Sequence, residues 1–280
     1  MIASFLITLR EGLEAALIVT IVLAYLRQTD HRDQARRVWA GVAAAVAVSA
    51  AVGLVVAAGA ARLSMRAQEF VEGAAGLLAV AVLTWMIFWM RRHAPSIRRH
   101  LHERADEALR STSLLALPLL AFTAVGREGL ETVLFLYAAF KSSTSPAQSG
   151  GGAVLGLLAA AALGYGLYKG STRLNLRLFF QITGGLIIVV AAGLLASSIH
   201  EFNEAGYLLF LGDAVWDTSG VIGPTGIVGS VLRGFFGYDA SPTMLQVLAY
   251  WCYLVPALFA FYGVPWLATR RRAEAVPSMK

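Results

Sequence analysis

Seven apolar runs, separated by short charged segments, dominate this 280-residue chain and leave it little choice of fold. They run from Met1 to Leu26, Val38 to Ala61, Phe70 to Met90, Leu114 to Phe140, Gly151 to Tyr168, Leu178 to Ile199 and Leu245 to Leu267. Spanning the hydrocarbon of a bilayer takes roughly 20 helical residues, with a tolerance of several, and each run meets that length. The composition agrees. Hydrophobic residues make up 58% of the chain and charged ones 14%, whereas a soluble domain is roughly one quarter charged. The expected class is therefore all-α integral membrane, with seven transmembrane helices. The first charge, Arg10, already lies inside the first run, so that run reads as a retained span and lacks the basic start of a signal peptide.

Basic residues alternate sharply along the connections. One side holds Arg27, Arg32, Arg36 and Arg37, the Arg91 to Arg110 segment, then Lys169, Arg173 and Arg177, and finally Arg270, Arg271, Arg272 and Lys280. The other side has only Arg62, Arg66, Lys141 and Arg233. The positive-inside rule then puts the N-terminus outside and the C-terminus in the cytoplasm. The net charge of +6 resides in these loops and forms no basic stripe on a soluble face, which argues against nucleic acid as a partner.

Against this background one stretch is out of place. Arg10-Glu11-Gly12-Leu13-Glu14 interrupts the first run, and the same five residues return as Arg127-Glu128-Gly129-Leu130-Glu131 in the fourth. A charge inside a membrane helix costs from roughly 2.5 kcal/mol upward, so six of them imply a function. On a helix Glu11 and Glu14 share a face, as do Glu128 and Glu131, and Arg10 and Arg127 each lie four residues before the second acid. With the N-terminus outside, helix one runs inward and helix four outward. The two motifs then sit on antiparallel helices, about nine residues from the outer end of one and about thirteen from the inner end of the other, near mid-bilayer. This pattern predicts a 3+3 inverted repeat plus a seventh helix, with the substrate bound at the repeat interface. In a single permease domain over 1–280, repeat one covers 1–110, repeat two 111–200, an outer segment 200–243, and the last helix 244–268.

Four converging carboxylates form an all-oxygen anionic site, suited to a hard cation: iron, manganese, magnesium or calcium. No intramembrane histidine or cysteine accompanies them, and the one cysteine, Cys252, reads as packing. Arg10 and Arg127 would balance charge while the site is empty, and Gly12 and Gly129 would let the helices approach. Two other readings stay open. The motifs could be structural Arg–Glu bridges between helices one and four, or the site of a membrane-bound carboxylate-iron oxidoreductase. The latter class uses Glu-x-x-His, whereas Leu17 and Leu134 occupy the third position after the second acids.

The outer side is acidic. Glu69 with Glu72, and Glu201 with Glu204, have i, i+3 spacing at outer helix ends and are candidates to receive a cation before Asp213, Asp217 or Asp239. The inner segment Arg91 to Arg110 reads as a basic stretch on anionic headgroups, Lys141 to Gly152 as a flexible outer loop, and 200–243 as a segment folding back onto the membrane. Trp85, Trp89, Trp251 and Trp266 read as interface anchors, and Pro256 as a kink.

The twin pentapeptide resembles the iron permease family, in particular its bacterial Efe-type branch. Leu83 to Met86, Phe88 to Arg91, Arg173 to Leu176, Glu204 to Gly206 and Gly234 to Tyr238 also match that branch. The resemblance implies a non-enzymatic permease that imports iron, as Fe2+ or Fe3+, across the bacterial cytoplasmic membrane. Its metal ligands would be Glu11, Glu14, Glu128 and Glu131, and iron would be cargo, with no resident cofactor. The implied partners are a periplasmic iron-binding protein and a haem peroxidase.

Overall fold

The computed structural model describes residues 1–111, 113–143, 145–170, 175–208, 211, 213–222 and 227–263. Among them lie eight α-helices and no β-sheet: α1 (Ile2–Gln28), α2 (Ala35–Ala60), α3 (Met65–Arg110), α4 (Ala116–Lys141), α5 (Pro146–Tyr168), α6 (Leu176–Glu204), α7 (Ile227–Phe236) and α8 (Met244–Leu258). Five helical stretches are long and apolar enough to cross a membrane: Arg32–Ala60, Met65–Arg92, Pro146–Tyr168, Leu178–Glu204 and Met244–Gly263. α1 and α4 match them in length, at 27 and 26 residues, and differ by carrying the charged pentapeptides. The protein is a multi-pass, all-helical membrane protein.

α1 packs on α4 and α5, α2 on α4, α3 on α4 and α6, and α6 on α7 and α8. Small residues set these approaches. A Cβ placed on Gly12 would come within 2.8 Å of the Ala160 Cβ on α5, and one on Gly129 within 2.9 Å of the Ser49 Cβ on α2. Without a hydrophobic drive between helices in lipid, such close backbone contact is what holds them together. Two apolar cores result. One gathers Leu6, Ile7, Leu83, Phe135, Ile187 and Ile188 between α1, α3, α4 and α6. The other gathers Val22, Leu26, Val38, Leu117 and Ala121 between α1, α2 and α4.

Several elements differ from the sequence reading. The Arg91 to Arg110 segment is no separate surface stretch, because α3 continues through it as one 46-residue helix. Its far end leans on α1: Leu101 and Ala105 are buried, the Tyr25 hydroxyl donates to Asp106, and the Tyr25 and His102 rings lie 4.7 Å apart. The flexible outer loop shrinks to a few residues, since Ser145 caps α5 by accepting from Gln148 N and Pro146 fits the first helical turn. In the outer segment, α7 folds back onto α6 and α1. The last helix begins with a capping box between Thr243 and Gln246 and passes after Pro256 into a π turn over Phe259–Gly263. Arg91 donates to the carbonyls of Ala260 and Phe261 there, supplying partners that the irregular turn leaves open. Trp266, Pro224, Arg173 and the Arg270 to Lys280 cluster lie outside the described residues.

Candidate metal centre

The pentapeptides meet where α1 and α4 cross. Glu11 from α1 and Glu128 and Glu131 from α4 each offer a carboxylate oxygen, and these three oxygens lie within 4.8 Å of one another. The Glu11 and Glu128 side chains are enclosed, at 0% and 2% exposure. Both Glu11 oxygens, Glu128 Oε2 and Glu131 Oε2 are buried without a hydrogen-bond partner. Buried polar atoms in native proteins are nearly always paired, and a group of carboxylates this close together could hold a metal ion.

Glu14 is not in that trio. Its Oε1 lies 3.1 Å from Arg10 Nε, in ion-pair range without hydrogen-bond alignment, while Arg10 Nη1 stands 3.8 Å from Glu11. The repeat unit on α4 is arranged otherwise. Arg127 donates to Glu128 Oε1 from Nη2 at 2.7 Å and from Nε at 3.1 Å, and lies 3.5 Å from Glu131. Its guanidinium also sits 5.8 Å from the centre of the Trp89 ring, a contact that gives Trp89 a place beside the site. Each arginine thus leans towards a different acid of its own motif.

The four acids expected on the outer side come together from two helices, Glu69 and Glu72 on α3 and Glu201 and Glu204 at the end of α6. Arg66 ties these ends by donating from Nε to the Ala205 carbonyl at 2.9 Å. Glu201 lies within electrostatic reach of Glu69, Glu72 and Glu204. Glu72 Oε1 is 2.6 Å from Lys141 Nζ, and Glu204 is 3.2 Å from His200 Nε2, whose Nδ1 faces Asp239 at 3.8 Å. Between this cluster and the central trio stands Tyr137, its enclosed hydroxyl without a hydrogen-bond partner and within reach of Glu72, Glu201 and Lys141. In the sequence Lys141 reads only as an outer-loop base, and Tyr137 and His200 stand out in no way. One signal was present: Tyr137 and Lys141 follow Glu131 on the same helix, six and ten residues on.

Comparison with known proteins now decides the family. The iron permease FTR1 family matches residues 1–274 of the chain. The chain belongs to the iron permease FTR1 family. It is 40% identical over 267 residues to a protein of Yersinia pestis named "Ferrous iron permease EfeU", covering 95% of this chain and 94% of that protein. A protein of the same name from Escherichia coli O6:K15:H31 is 40% identical over 269 residues, covering 95% and 96%. A third, from Shigella sonnei, is 40% identical over 265 residues, covering 93% and 95%. No solved structure matches this iron permease.

Proposed function

We propose that this iron permease carries iron inward across the bacterial cytoplasmic membrane, binding it near mid-bilayer between α1 and α4. The observation that carries the proposal is the meeting of Glu11, Glu128 and Glu131 from two helices around buried, unpartnered oxygens. An all-carboxylate set suits a hard cation and admits either Fe2+ or Fe3+. The relatives named ferrous iron permeases favour iron over manganese, magnesium or calcium. Glu14, paired with Arg10, is the fourth ligand, and Arg10 and Arg127 offset carboxylate charge until the ion arrives. Glu69, Glu72, Glu201 and Glu204 collect the ion at the outer end.

In this reading α1 to α6 and α8 are seven spans, with the N-terminus outside and the C-terminus in the cytoplasm, and α1–α3 and α4–α6 form an inverted repeat. Matched contacts support it. Gly12 meets Ala160 as Gly129 meets Ser49, Ala16 meets Gly164 as Val133 meets Gly53, and Met1 meets Gly152 as Pro118 meets Gly41. The α1 and α4 members are 117 positions apart in every case, and the α2 and α5 members 111. A twofold axis in the membrane plane, exchanging α1 with α4 and α2 with α5, produces such a pattern.

The protein itself is a carrier and catalyses no redox step; a periplasmic iron-binding protein and a haem peroxidase would present iron at the outer acids. Uptake of radioactive iron into proteoliposomes of purified protein tests the function. Uptake is expected without oxygen consumption, and reduced by Glu11→Ala and by Glu131→Ala. Oxygen consumption in place of uptake would instead mean an oxidoreductase, and uptake of manganese or calcium in preference to iron would mean a different cargo.

A further inference from the structure

The two pentapeptides are chemically identical but unequally enclosed. On α1, Leu6, Arg10 and Leu13 are 7%, 2% and 0% exposed. The residues 117 positions on, Thr123, Arg127 and Leu130, are all exposed, the Arg127 side chain by 49% and Leu130 by 47%. The second acids follow suit, since the Glu14 side chain is 4% exposed and that of Glu131 15%. This difference has a packing origin. Leu6 and Ile7 of α1 share one core with Ile187, Ile188 and Val190 of α6, Phe235 of α7 packs against that core, and α3 also packs on α1. On α4 the Arg127 guanidinium has the Trp89 ring of α3 beside it and is still half exposed.

Direction follows from sequence order. Arg10 precedes its acids on a helix that runs inward, and Arg127 precedes its acids on one that runs outward. Arg10 therefore lies on the outer side of the carboxylate trio and Arg127 on the inner side, with Thr123 one turn further in. A half-exposed guanidinium this close to mid-bilayer is strongly disfavoured in hydrocarbon and requires water or protein around it.

We propose that a water-filled crevice runs from the inner face along Thr123 to Arg127 and Glu131, so that the site is sealed outward and open inward, with Arg127 and Trp89 at the throat through which the ion leaves. This inference rests on the transport reading and its orientation.

The test is cysteine accessibility in Cys252→Ala protein, since Cys252 is a free, exposed thiol. Thr123→Cys and Leu6→Cys are compared in inside-out and right-side-out vesicles with a membrane-impermeant thiosulfonate, and Ser111→Cys and Ser64→Cys mark the two faces. Thr123→Cys is expected to react from the Ser111 face at least tenfold faster than Leu6→Cys from either face. If Leu6→Cys fails to accumulate, Thr8→Cys, at a fully buried position on the same half of α1, replaces it. Reaction of Thr123→Cys from the Ser64 face, from neither face, or only with a lipid-soluble maleimide overturns the crevice. Iron uptake measured on the same vesicles separates the two readings, because loss of transport leaves the labelling pattern intact. Reaction of Ser111→Cys from outside would reverse the orientation without closing the crevice.

Discussion

Lys141 Nζ stands 2.6 Å from Glu72 Oε1, joining the C-terminal end of the helix that carries Glu128 and Glu131 to the first turns of α3. In the proposed function this tethered ammonium occupies part of the acidic cluster that receives the ion, and the ion has to compete with it. Lys141→Gln is expected to lower the KM for iron uptake severalfold, and Glu72→Gln to raise it, with little change in maximal rate for either. Concentration-dependent uptake in vesicles checks both, and opposite signs would show that Lys141 has no competing role.

The central acids should divide three to one. Glu11→Gln, Glu128→Gln and Glu131→Gln each remove a member of the trio, and a lost charged ligand costs roughly 2–3 kcal/mol, about a hundredfold in binding. Glu14→Gln removes a residue that is paired with Arg10, and should weaken uptake by only about tenfold. Equal losses at all four positions, measured by metal binding to purified protein, would mean that Glu14 stands on the same footing as the others.

Stability should respond unequally to the two arginines. Arg10 is buried against Glu11 and Glu14, and removing it strands both acids in the interior, a change that costs several kcal/mol when a buried pair is broken. Arg127 is half exposed, so solvent softens part of its loss, although the buried Glu128 gives up two hydrogen bonds. Arg10→Gln is expected to accumulate poorly and to melt further below the parent than Arg127→Gln does. Thermal unfolding followed in detergent reads the difference.

Packing at Gly12 offers a cleaner cycle. A new Cβ there would stand 2.8 Å from that of Ala160, closer than side-chain carbons come. Overpacking of this kind costs roughly 1–3 kcal/mol. Gly12→Ala should lower the melting temperature and slow uptake, Ala160→Gly should have a small effect, and the double variant should recover most of the loss. Strictly additive melting shifts would show that the two positions do not touch.

How much of this was legible before the structure depends on where the physics is written. The crossing of α1 and α4 was, because an uncompensated charge in an apolar run has few permissible surroundings and two identical runs on opposed helices restrict them further. The inner half of α3 was not. Its many arginines make the average hydropathy that of a loop, while the buried Leu101 and Ala105 fall on a single face one helical turn apart, a signal that averaging erases. The start of α5 was hidden for a related reason. Ser145 and Pro146 belong equally to a loop and to the first turn of a helix, and only the Gln148 amide hydrogen bond separates the two. The withdrawal of Glu14 from the trio could not be read at all, since identical motifs give no sign of which arginine will turn to which acid.

One consequence of the 46-residue α3 concerns distance. The helix is about 69 Å long, with Glu72 near one extremity and Asp106, bonded to Tyr25, near the other. Acting as a stiff lever, it would move its far tip by about 1 Å for each degree of tilt at its near end. An ion that loosens the grip of Lys141 on Glu72 would thereby be felt at the opposite end of the helix, carried by the rigid rod and the helices packed against it.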